Sequence, residues 1–81
     1  SQAQANQDIA SVSRFIGLVA NTFGPATLNL LISSEEVAVY LAKKFGVPES
    51  LIRDEEQRKQ LAAMAQQMAQ QQMGAPVEQQ G

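Results

Sequence analysis

The chain has 81 residues, 44% of them hydrophobic, with six Lys and Arg against eight Asp and Glu for a net charge of −2, and neither Cys nor His. That length supports one small domain, which buries too little apolar surface to floor a deep catalytic cleft. Disulfides, thiolate nucleophiles and Cys-type zinc sites are excluded, and the commonest metal ligand and general base is missing.

Ser1 to Gln7 is polar and rich in Gln and Ala, which suits either the frayed start of a helix or the continuation of one from a longer chain. A start at Ser1 rather than Met favours an excerpt of something longer. From Asp8 onward Ile9, Val12, Ile16, Val19 and Phe23 step by three and four, with Phe15 widening the stripe, as one buried helical face requires. Gly24 is expected to close this helix in the left-handed conformation, and Pro25 cannot continue it. Gly17 inside it costs about 1 kcal/mol relative to Ala.

Pro25 at a first helical position predicts one or two turns through Leu28, Leu30, Leu31 and Ile32. Ser33 followed three residues later by Glu36 matches a capping box, and Glu35 and Glu36 suit the positive end of the helix dipole. A helix from Ser34 to Phe45 then puts Val37, Ala38, Leu41 and Phe45 on one side, with Lys43 and Lys44 in the last turn and Gly46 as its stop. Val39 and Tyr40 lie off that stripe and predict a second contact surface. The expected core is Ile9, Val12, Ile16, Val19, Leu41 and Phe45.

Val47-Pro48 opens a short turn carrying Leu51 and Ile52, after which Asp54 caps a last helix to about Met73. Asp54 with Arg58 and Glu55 with Lys59 are acid-before-base pairs at four-residue spacing, worth about 0.2–0.5 kcal/mol each. Leu61, Met64, Ala65 and Met68 form a thin stripe on a Gln- and Ala-rich helix. Gly74-Ala75-Pro76 is expected to end it, leaving 74–81 as a disordered tail.

No constellation of catalytic residues emerges. Glu35 and Glu36 point different ways on a helix, and Asp54, Glu55 and Glu56 sit at a solvated helix start, so capping and solubility account for the acids. The serines have no histidine to activate them, and the single-glycine stops are unlike a phosphate cradle. No cofactor or metal is expected, and no enzymatic activity. The basic residues Arg14, Lys43, Lys44, Arg53, Arg58 and Lys59 are too dispersed to track a phosphate backbone. A DNA-reading helix over 34–45 would offer only Lys43 and Lys44, at its far end. No apolar run approaches the roughly 18 residues of a membrane span, and nothing at the start looks like a signal peptide.

The fold class expected is all-α: three to four helices joined by short Gly/Pro turns and ending in a Gln/Met/Ala-rich helix. Taken alone, that last helix reads either as a solvated tail or as one strand of a multi-helix bundle, where flexible Met and neutral Gln let like helices pack. Candidate oligomer contacts are Val39, Tyr40, Leu61, Met64 and Met68, and the caps are Ser33, Glu36, Gly24, Gly46 and Asp54.

The run Ile9 to Phe23, then Leu28-Asn29-Leu30, Val37 to Phe45, Gly46-Val47-Pro48-Glu49-Ser50-Leu51-Ile52-Arg53, and Asp54-Glu55-Glu56-Gln57 leading into Gln/Met/Ala repeats resembles the C-terminal segment of portal proteins (head-to-tail connectors) of short-tailed bacteriophages. Gly46 through Gln57 is the most specific part. The resemblance implies a wing-to-crown-like segment over 1–53 and a C-terminal helix over 54–73, within a larger α+β portal chain whose stem, clip and channel loop have no counterpart here. It further implies a ring of about twelve copies at one capsid vertex of the virion, assembled in the host cytoplasm. Double-stranded DNA would pass through without sequence-specific binding, and terminase, capsid or scaffold and tail proteins would be met through the parent chain. The reading from another class is a stand-alone helical adaptor or scaffold-like module that grips a partner helix through the stripes over 37–45 and 61–68.

Overall fold

The computed structural model describes the backbone of residues 1–80 and the side chains of residues 1–72. It is all-α. Helices α1 (Gln2–Phe23), α2 (Pro25–Leu31), α3 (Ser34–Phe45) and α4 (Glu55–Gln80) follow in order, a single 3-10 turn (Glu49–Leu51) precedes α4, and no strand occurs among the described residues.

Most helix ends have an identifiable polar cause. The Ser1 hydroxyl accepts from the Gln4 N–H at 3.3 Å, and the Gln4 side-chain amide donates to Asp8 at 2.9 Å. The polar stretch 2–7 is therefore the first turns of α1. At the other end Gly24 departs from expectation. Its φ is positive at 95°, but its ψ of 163° is extended rather than left-handed helical. Its N–H donates to Ala20 O at 3.0 Å and its carbonyl accepts from Leu28 N–H at 3.3 Å, so one glycine both closes α1 and opens α2. Sharing a residue between two helices requires a sharp change of direction that a left-handed cap, built to release the chain outward, does not provide.

Ser33 caps α3 as expected, accepting from the Glu36 N–H at 3.2 Å. The predicted box does not close, because the Glu36 carboxylate turns instead to Arg58. Gly46 is the left-handed stop of α3 (φ 78°, ψ 26°), with its N–H on Lys43 O and the Val47 N–H on Ala42 O at 2.9 Å, the paired pattern of a Schellman motif. A reciprocal box does form at α4: the Gln57 N–H donates to Asp54 Oδ1 at 2.8 Å and the Asp54 N–H to Gln57 Oε1 at 3.2 Å.

The backbone of α4 is helical to Gln80, past the stop predicted at Gly74 and through Pro76. The tail expected over 74–81 falls on residues whose side chains, and for Gly81 the backbone too, lie outside the described part.

Packing is sparse. α1 lies against both α2 and α3, and α4 makes no comparable contact with any of them. Val19, at 5% exposure, is the one buried side chain among the described residues, and none is fully enclosed. Ile9, Val12, Ile16 and Leu41 are half-buried, as partial members of the expected core. Phe45 is not a member, being 66% exposed. The reason is the rotation of α3: Asp8 on α1 holds Lys44, and Val12 shares a groove with Val37 and Tyr40. The side facing α1 is thus the line Val37, Tyr40, Leu41, Lys44, which carries Phe45 and Ala38 outward.

The accessible surface of 6690 Å² exceeds the roughly 4,700 Å² of a compact chain of 8.7 kDa. The radius of gyration of 17.5 Å likewise exceeds the roughly 12 Å of a globule this long. Most of the apolar surface is therefore left uncovered by the chain itself.

The two kinds of glycine give opposite expectations. A Cβ at Gly17, in mid-helix, meets nothing within 4 Å, so Gly17→Ala should stabilise α1 by about 1 kcal/mol. Gly24→Ala forces a side chain into a glycine-only region at a cost of about 1–3 kcal/mol, and Gly46→Ala into the left-handed region at about 1–2 kcal/mol. Helix content by circular dichroism during urea titration orders the three variants.

Candidate protein-interaction site

Two open apolar surfaces flank α3. The first is a depression of about 510 Å³ between the outer side of α3 and the turn that follows it, with Val39, Ala42, Val47 and Ile52 as its floor and Lys43, Glu49, Arg53 and Asp54 at its rim. The Schellman closure at Gly46 builds it, since folding the chain back brings Val47 beside Ala42. The second is a shallow groove where α1, the start of α3 and Ile32 meet, lined by Val12, Ile32, Val37 and Tyr40, with Ser33 and Glu36 at one edge.

The candidate contact residues are distributed over three places. Val39 is half-buried in the first depression, and Tyr40, 41% exposed, stands in the second groove on the opposite side of α3. Leu61, Met64 and Met68 stand 45–58% exposed along α4. Further exposed apolar side chains escaped the sequence-based expectation. Leu30 at 87%, Leu51 at 72% and Phe23 at 67% project from α2, the 3-10 turn and the end of α1. For Leu30 and Leu51 the signal in the sequence is an element too short to bury them, and Phe23, placed by spacing on the buried face of α1, stands exposed at its last position.

Electrostatic contacts tie the helices where apolar ones do not. Lys44 Nζ lies 2.8 Å from Asp8 Oδ2 and 5.3 Å from the Tyr40 ring centroid, linking the last turn of α3 to the second turn of α1. The hydrogen bond from Lys44, seconded by one from Gln4, holds the Asp8 carboxyl below its ordinary value of 3.8. The reciprocal bond to Asp8 raises Lys44 above its ordinary 10.5.

Arg58 forms the second link, and it is a correction to the predicted four-residue pair with Asp54. The Asp54 carboxylate is occupied by the Gln57 N–H, and the Arg58 guanidinium reaches across to α3. Its Nε donates to Glu35, one Nη lies 3.4 Å from Glu36, and the other donates to the Arg53 carbonyl at 2.7 Å. The Glu55–Lys59 pair forms as predicted, at 3.3 Å.

Among the described residues no cluster of acids could hold a metal ion, and no helix is long and apolar enough to cross a membrane. The chemistry this surface offers is contact: apolar side chains at the centre and mixed charge at the edges. No known protein family, curated protein or solved structure matches the chain.

The Asp8–Lys44 link has a defined pH window. Asp8 is depressed, so its contribution is present above its ordinary value and disappears as pH falls through the lower folded value. Lys44 is raised, so its contribution is present below 10.5 and disappears as pH climbs through the higher folded value. Asp8→Asn should therefore remove part of the acid-side loss of helix packing that the native chain shows. Thermal melts by circular dichroism at pH 2–7 measure it, and identical profiles for both proteins would count against the link.

Proposed function

We propose that this chain is a structural, non-catalytic helical segment of a phage portal ring, contributing contacts between copies in an assembly that conducts double-stranded DNA at one capsid vertex. The observation that carries the oligomeric part is the imbalance of burial: one side chain is buried, while twelve large apolar side chains stand exposed among the described residues. A free monomer rarely leaves so much apolar surface open. An obligate interface resembles a core cut in half, which is what each copy here would contribute.

The portal assignment itself rests on the resemblance over Gly46 to Gln57 and the Gln/Met/Ala run that follows. Its physical logic is consistent. With net charge −2 overall and no charged residue from Gln60 to Gln72, the length of α4 offers DNA none of the phosphate-neutralising contacts that would grip it through counterion release. Neutral Gln also lets identical helices lie side by side without like-charge repulsion. Terminase, capsid or scaffold and tail proteins would be partners of the assembled vertex, and the virion its location. The competing reading, an adaptor that seats one foreign helix in the groove of Val12, Ile32, Val37 and Tyr40, draws on that same exposure.

The product of the full reading frame, imaged by negative-stain electron microscopy, distinguishes the two. Rings with a central hole support the portal reading, and a monomer or a one-to-one complex opposes it. The 81-residue chain alone should be helical by circular dichroism, melt over a broad range and self-associate as concentration rises. A sharp transition in a dilute monomer would contradict the proposed contacts.

A further inference from the structure

α4 leaves the body formed by α1, α2 and α3 with almost no apolar packing at its root, and its direction must be set by something else. The side chain placed to do this is Arg58. Its guanidinium is 17% exposed and is held from three directions: Glu35 and Glu36 on the first turn of α3, and the Arg53 carbonyl on the segment between the two helices. The capping box at Asp54 makes this geometry available. The Asp54 carboxylate is turned to the Gln57 N–H, and Arg58 is paired with Glu35 and Glu36 across the turn instead.

We propose that Arg58 is a latch that fixes the bearing of α4 relative to the α1–α3 body, and that its release lets α4 swing about the segment 52–54. A guanidinium suits this role and an ammonium does not. Its planar fork presents fixed donors to two carboxylates and a carbonyl together, whereas Lys brings one compact charge. The carboxylate side of the latch is exposed, Glu35 at 51% and Glu36 at 66%, so ionic strength acts on it directly. The Debye length falls from about 10 Å at 0.1 M salt to about 3 Å at 1 M. The Arg53 carbonyl bond is the contact that salt leaves in place. Lys59, the other cation of the α4 root, is paired with Glu55 on the same helix.

The absence of native Cys permits a direct test in the full chain. Spin labels at Ala38→Cys on α3 and Gln70→Cys on α4 occupy exposed positions. Sixteen residues separate the pivot at Asp54 from position 70, about 24 Å of helical rise, so a swing of about 30° moves the second label by about 12 Å. Distances are read by pulsed dipolar spectroscopy in samples diluted with unlabelled protein. A second pair, Ser13→Cys with Ala38→Cys, reports whether α1 and α3 stay together.

The latch predicts a narrow 38–70 distribution in the native chain. Arg58→Ala, Arg58→Lys and the double variant Glu35→Gln with Glu36→Gln should each broaden it by several ångströms, as should 1 M salt to a smaller degree. Combining Arg58→Ala with the double Gln variant should add nothing further, because the groups act as one unit. Lys59→Ala should leave the width unchanged. Equal widths for the native chain and both Arg58 variants would overturn the proposal, as would a broad distribution in the native chain. If Arg58→Ala also loosens the 13–38 pair, Arg58→Lys decides, since it keeps the charge and the aliphatic stem: a broadened 38–70 distribution supports the latch and an unchanged one overturns it.

Discussion

A shortage of enclosed apolar surface governs this molecule. Ordering a residue costs about 1–2 kcal/mol of backbone entropy, and the usual compensation is a core, yet one valine is all that this chain buries among its described residues. Helices shorter than about 12–15 residues are marginal in water on their own. α2 has 7 residues and α3 has 12, so neither persists without help. The proposed assembly would supply that stabilisation through contacts beyond the chain, with the apolar side chains standing in solvent as the material for them.

In place of a core, the chain relies on local polar devices. Ser1, Ser33 and Asp54 each satisfy an N–H at a helix start, and Gly46 satisfies two carbonyls at a helix end. Such caps are worth about 1 kcal/mol each. They decide where helices begin and stop, and so which way the chain turns, but they do not hold helix to helix. That falls to Asp8–Lys44 and to Arg58, both partly solvated and therefore individually weak. The molecule has a well-specified set of helices and a loosely specified arrangement of them.

The same division explains what could be read from the residues. Element boundaries for α1, α2, α3 and the start of α4 follow from rules acting within four or five positions, and these were legible. The all-α class followed with them. The rotation of α3 was not, since the stripe through Phe45 and the stripe through Lys44 differ by one position. The choice between them depends on Asp8, more than thirty residues away. Arg58 was misassigned to Asp54 for a related reason. Four-residue spacing makes that pair plausible locally, and only the fold reveals that Gln57 takes the carboxylate first and that Glu35 waits across the turn. Gly24 shows the limit differently: the sequence demands a glycine before the proline, but serving two helices at once selects its extended form. Of the candidate contacts, the exposed stripe Leu61, Met64 and Met68 was visible as periodicity. The separation of Val39 from Tyr40 onto two sides of α3 needed the turn at Gly46 to be seen in place.

The charge distribution along α4 fits this arrangement. Over the residues whose side chains are described, every charge of α4 lies in Glu55 to Lys59, and the helix from Gln60 to Gln72 carries only Gln, Ala, Leu and Met. A helix needs charge where its direction is chosen, because ion pairs are directional and act through solvent. In the proposed assembly it needs neutrality where it would meet copies of itself, because like charges side by side repel. Under that proposal and the proposed latch, the root of α4 serves orientation and its length serves contact. The two would then be altered separately, since substitutions at Arg58 would act on the bearing and substitutions at Met64 or Met68 on what the helix meets once it is aimed.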